Sequence, residues 1–183
     1  MVGSSRSNTK KYSDNITYFS NNGYRKRQIM SYLFIKTIHI ISSTILFGTG
    51  IGTAFFMWWA NKTGDLYAKA YAARTTVIAD FLFTTPTVII QSVSGIILVN
   101  MLGHNYSELW LFLTYIGYLI AGICWLPVVW IQIQLRDMAV EALKQQASLP
   151  EKYYKLFKLW FYLGWPAFIS LIVIFFLMVF KPL

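Results

Sequence analysis

Four long apolar runs, separated by polar stretches, organise this chain. They cover about residues 32–59, 76–102, 109–133 and 159–180, the last closed by Lys181 and Pro182. A helix needs about 20 apolar residues to cross the hydrocarbon core of a bilayer, and each run supplies them. Trp58, Trp59, Trp110, Trp160 and Tyr162 fall near the ends of the runs, where aromatic rings favour the headgroup region. The pattern predicts an all-α fold: a polytopic membrane protein whose residues 30–183 form a four-transmembrane-helix bundle. No period of about 20–50 residues repeats, which excludes a solenoid.

Residues 1–29 differ in kind. They are rich in Ser, Asn, Lys and Arg, with clusters at Lys10-Lys11 and Arg25-Lys26-Arg27. They read as a polar, basic, mostly disordered tail. No apolar core of a cleavable signal peptide is present there, so the first helix is expected to act as its own membrane signal. Met30-Ser31-Tyr32 would also open a membrane protein, and part of the tail reads as an over-extended start.

Composition points the same way. Of 183 residues, 56% are hydrophobic and 13% charged, against about 45–50% apolar in soluble domains. A net charge of +9 suggests nucleic acid at first sight. The basic residues, however, flank the apolar runs in short stretches, as they do in membrane proteins. The lipid bilayer is therefore the expected partner, in a bacterial inner membrane, and nucleic acid is not. Outside the tail, Lys62, Lys69, Arg74, Arg136, Lys144, Lys152, Lys155 and Lys158 border the first and third loops, against Lys181 on the other side. The positive-inside rule then places those loops in the cytoplasm and the termini on the periplasmic side, a bias that the tail's own cations weaken. The single cysteine, Cys124, excludes an internal disulfide or a CxxC pair and reads as a small apolar filler.

Polar groups inside a span need a reason, because a charge at the bilayer centre costs about 2.5–3.5 kcal/mol on insertion scales. In the first run Lys36 and His39 share a helix face with Ser43, Leu46, Gly50, Thr53 and Met57. Gly48 and Gly52 form a small-xxx-small step for close helix approach. Lys36 can snorkel to the interface. His39 lies about 9 Å inside the span, where it either bonds a neighbouring helix or ligates haem iron. The second run carries Asp80, Thr84, Thr87, Gln91 and Ser94 at helical spacing, with Gly95 beside them. Such a stripe cannot face lipid and is expected to line the bundle interior or a wet cavity. Pro86 is expected to interrupt that helix and free a carbonyl. His39 and His104 belong to one membrane face and Asp80 lies near the other. Met101 and His104 are either loop residues or soft metal ligands. No Walker loop, HExxH or GxSxG is present, and no carboxylate pair suits a di-iron bundle. No enzyme class follows.

From Tyr32 to Pro182 the sequence resembles a family of uncharacterised bacterial integral membrane proteins, a domain of unknown function. Its markers here are Lys36-Thr-Ile-His39, Phe47-Gly-Thr-Gly-Ile-Gly52, Ala79-Asp80-Phe-Leu-Phe83, Thr85-Pro86, Cys124-Trp-Leu-Pro127-Val-Val-Trp130-Ile-Gln132, Trp160-Phe-Tyr-Leu-Gly164-Trp-Pro166-Ala-Phe168 and Lys181-Pro182. More distantly, Lys36-x-x-His39 is similar to the opening of HemJ-type protoporphyrinogen oxidases and CopD-type copper proteins. That likeness implies His39 as an axial ligand of haem b. The leading expectation is a b-type haem redox protein, with Gly50, Ser94 and Gly95 making room for the porphyrin and Lys36 pairing a propionate. Asp80, Thr84, Thr87 and Gln91 would then form a polar path. The alternatives are copper or metal handling by His39, Met101 and His104, and a non-catalytic subunit or small-solute carrier. A homo-oligomer or a membrane complex would suit the last of these.

Overall fold

The computed structural model describes the backbone of residues 5–182 and the side chains from Gly23 onward; residues 1–4 and 183 lie outside the described residues. The chain forms helices α1 (Ser5–Thr63), α2 (Leu66–Ala79), α3 (Thr85–Leu102), α4 (Leu109–Lys144) and α5 (Glu151–Phe180). A π-helical turn, Asp80–Thr84, joins α2 to α3, so that the two run as one rod over Leu66–Leu102. This rod, α1 from Gly23, α4 and α5 are long and apolar enough to cross a membrane. The molecule is a polytopic four-helix bundle, as the apolar pattern predicts. The boundary drawn at residue 29 has no counterpart in the backbone, which is helical from Ser5; what was expected of residues 1–4 falls outside the described residues.

The helices outrun the apolar runs. With 36 residues, α4 is about 54 Å long, against about 30 Å of hydrocarbon. The surplus, about residues 66–75, 134–144 and 151–158, projects at the face that carries the first and third loops. The main apolar core is centred towards that end, on Met57, Ala70, Ala73, Leu135, Ala139 and Tyr153, each at most 4% exposed. Water explains the location: the hydrophobic effect drives apolar faces together in water, whereas lipid tails are as apolar as the side chains they would replace. Within the membrane windows only 6–22% of residues are buried, so most side chains there face lipid.

Short connections fix the order. Gly64, in the left-handed region at φ +77°, and Asp65 turn α1 into α2. Asp65 caps α2 by accepting from the Tyr67 and Ala68 N–H groups at 3.0 and 3.2 Å, meeting two of the donors a helix start leaves open. Gly103, at φ +67°, closes α3 as a left-handed C-cap. At the same end Glu108 accepts from the Asn105 N–H at 2.8 Å and the Trp110 indole at 2.7 Å, and pairs with His104 at 3.0 Å. Lys181, just past α5, sits 5.0 Å over the Trp110 ring. At the opposite end the Tyr153 hydroxyl donates to Asn61 at 2.9 Å, tying α5 to α1.

Two outcomes are expected. The Asn105 N–H first, then the Trp110 indole, hold the Glu108 carboxyl below its ordinary pKa. A lowered carboxylate pKa stabilises the fold above the unfolded value, and that contribution is lost as pH falls through the folded one. Glu108→Gln is therefore expected to melt lower than wild type at neutral pH in detergent, with the gap closing as pH drops below about 4.3. At the α4–α5 contact, a Cβ on Gly117 would lie 3.1 Å from Ile174 Cγ1. Gly117→Leu is expected to force the helices apart and cost about 1–3 kcal/mol in SDS-titrated unfolding.

Candidate functional site

The polar stripe of the second span turns inward, as its spacing predicts. Asp80, Thr84, Thr87 and Ser94 are buried and Gln91 half-buried. Pro86 does not break the rod. It occupies the first turn of α3, and the disturbance is taken up one turn earlier, in the π turn. There the Thr85 N–H reaches the Asp80 carbonyl five residues back, and Thr85 Oγ1 donates to the same carbonyl at 2.9 Å. A proline inside an α-helix clashes with the carbonyl four residues before it; the extra residue of a π turn displaces that carbonyl.

The stripe then divides into two parts. The first is a closed clamp between α1 and α3. Gln91 Nε2 lies 3.0 Å from His39 Nε2, and His39 Nδ1 lies 2.8 Å from Ser94 Oγ. Ser42 Oγ donates to Gln91 Oε1, and Ser94 Oγ donates to the Ile90 carbonyl. An amide nitrogen can only donate, so His39 Nε2 accepts and the ring proton sits at Nδ1, pointing to Ser94. Gly95 makes room for the ring: a Cβ there would lie 3.3 Å from His39 Cε1. Every polar atom in the clamp has a partner.

The second part is open. Asp80 and Thr84 line a cavity of about 560 Å³ walled by α1, α3, α4 and α5, within the range of about 300–1,000 Å³ typical of small-molecule sites. Thr84 Oγ1 donates to Asp80 Oδ1 at 2.9 Å. Four buried side-chain polar atoms lack a partner among the described residues: Asp80 Oδ2, Gln132 Oε1, Trp125 Nε1 and Trp160 Nε1. All four belong to residues that line this cavity. Asp80 and Gln132 are each 4% exposed and Trp160 5%, so bulk solvent does not satisfy them. Elsewhere the wall is aromatic and aliphatic, with Phe47 stacked on Phe168 at 5.2 Å where α1 meets α5. Tyr118 closes the α3–α4 side, donating to the Val88 carbonyl at 3.0 Å.

The remaining sequence candidates are scattered. Lys36 is exposed, its Nζ 5.6 Å over the Tyr32 ring. Gly50 lines the cavity, eleven residues past His39 in the sequence, about 16 Å along the helix. Haem b does not fit His39 as placed, because both ring nitrogens are bonded to α3 and the space beside Gly95 holds the imidazole itself. Met101 is exposed, and His104 is engaged by Glu108 and set edge-on to Trp110 at 5.2 Å. His39 packs at Ser94, about 15 Å along the rod from His104, so the structure does not gather the three proposed metal ligands. Among the described residues no group of three His, Cys, Asp or Glu side chains comes together.

Sequence reasoning missed Ser42, Gln132, Trp125 and Trp160. Ser42 follows His39 by three residues, and Gln132 is an amide inside an apolar run; both signals were readable. The tryptophans carried none: Trp160, near a span end, reads first as an interface residue, and Trp125, inside an apolar run, reads as one more apolar side chain. A double-mutant cycle tests the clamp: His39→Ala with Gln91→Ala is expected to show a coupling of about 0.6–1.7 kcal/mol in SDS-titrated unfolding. Additive losses would mean that the two side chains do not bond.

No curated protein and no solved structure matches the chain, so the likeness to HemJ-type and CopD-type proteins rests on Lys36-x-x-His39 alone. A match to the family described as predicted integral membrane protein (DUF2269) spans residues 33–182 and takes in the membrane-crossing part of every rod. The chain belongs to this family of predicted integral membrane proteins.

Proposed function

We propose that the protein binds a small lipid-soluble molecule in the cavity at Asp80 and serves as a membrane carrier for it. The observation that carries this reading is that the four residues whose buried polar atoms lack a partner among the described residues all line one apolar cavity. A buried polar atom without a partner costs about 1–3 kcal/mol, and four such atoms around one cavity support a bound molecule with polar groups of its own. The π turn adds support. Such turns recur at functional sites, and this one sets Asp80 and Thr84 into the wall while interrupting the regular hydrogen-bond ladder of the rod. The redox reading has no free ring nitrogen at His39 to build on, and the metal reading has no gathered ligand set.

Filling the cavity tests the proposal. Gly164 lines the cavity, and a Cβ there would meet nothing within 4 Å, so a side chain added at this position starts into open space. Native mass spectrometry of protein released from its own membrane lipids is expected to show a small-molecule adduct on wild type. Gly164→Phe is expected to lose the adduct while keeping its melting temperature. An adduct equally present on both proteins, or on neither, would sink the carrier reading.

A further inference from the structure

We infer that the molecule held at Asp80 is a cationic amphiphile: a protonated amine carried on an aromatic or alkyl body. The inference rests on the cavity being a ligand site and concerns which chemistry it selects.

Charge comes first. Asp80 lies in a membrane span, and no salt bridge reaches it among the described residues. Among the described residues no Lys, Arg or His lines the cavity. The nearest basic side chains along the rods, Arg74 and Arg136, line a different pocket between α2 and α4, where Arg136 is paired with Asp137 at 2.8 Å. The site therefore holds a carboxyl group with no basic partner among the described residues. A buried ionisable group is either neutral or paired, and a cationic ligand would bring the partner against which Asp80 ionises.

Hydrogen bonding comes second. Asp80 Oδ2, once the carboxyl is ionised, and Gln132 Oε1 are both acceptors, neither makes a well-formed hydrogen bond among the described residues, and the two side chains meet from two different walls. An ammonium group has three donors and no acceptor, so one such group can serve both oxygens. A neutral alcohol has a single donor and leaves the charge uncompensated. A carboxylic acid anion would bring a second negative charge against the first.

The wall comes third. Trp58, Trp125, Trp160, Trp165 and Phe161 line the same cavity, and aromatic faces attract cations, most strongly where water is excluded. The same rings shelter an apolar body. The unpaired indole N–H groups of Trp125 and Trp160 offer a place for an oxygen on that body.

Matched probes separate the possibilities. 4-Phenylbutylamine, 4-phenylbutanol and 4-phenylbutanoate share one body and differ in the head. Binding is read from tryptophan fluorescence of the protein in phosphatidylcholine nanodiscs, with empty discs subtracted. Wild type is expected to bind the amine about tenfold or more tightly than the alcohol, with the acid anion weakest. Asp80→Asn is expected to bring amine and alcohol within about threefold of each other, because the amide keeps the shape and loses the charge. Gln132→Met, which leaves the carboxylate in place, is expected to weaken the amine by about threefold to tenfold and covers the case in which Asp80→Asn does not fold. If amine and alcohol bind wild type equally, and both are lost in Gly164→Phe, the cationic class is overturned while the cavity remains a ligand site. If no probe binds wild type above empty discs, the cationic class and the carrier reading fall together.

Discussion

In hydrocarbon a polar atom has no solvent to return to, and this constraint governs the bundle. Every N–H, hydroxyl and carboxyl inside the bilayer has to find a partner within the protein or stand at a measurable loss. Apolar contact between helices cannot compensate, because lipid offers the same contact. The polar residues therefore fix where α1 and α4 meet α3, while α4 and α5 meet through close packing such as Gly117 against Ile174. His39 and Ser42 fasten α1 to α3 through Gln91 and Ser94, and Tyr118 fastens α4 to α3. The apolar core, in contrast, gathers towards the end where the rods project beyond the hydrocarbon and the hydrophobic effect operates.

The two halves of the polar stripe meet this constraint differently. Around His39 it is met completely, with each donor matched to an acceptor and a glycine giving the ring its space. Around Asp80 it is left open at four atoms, all on residues that line one apolar cavity. A sequence that closes one network and leaves its neighbour incomplete, on the same face of one rod, separates a fastening from a site. The histidine, which draws the eye first in the sequence, belongs to the fastening.

Much of this was legible before any coordinates. Apolar runs longer than a bilayer is thick located the four spans, and five polar residues at helical spacing placed the face of the second span that turns inward. What escaped has physical reasons. The rods continue past the apolar runs because helical hydrogen bonding does not stop at the headgroups, and polar residues such as Arg136 and Asp137 extend a helix as readily as leucine does. The π turn was hidden because a proline signals a disturbance but not the turn in which it is absorbed. Gln132, Trp125 and Trp160 line the same cavity as Asp80 from two other rods, and one sequence contains no register between helices from which that arrangement could be read.

The link between α1 and α2 has one more implication, for how the chain enters a membrane. Only Gly64 and Asp65 separate two rods of 41 and 37 described residues, and the Asp65 cap leaves no slack between them. The pair is thereby built as a helical hairpin with the glycine at its tip, and the direction of the first rod across the bilayer sets that of the second.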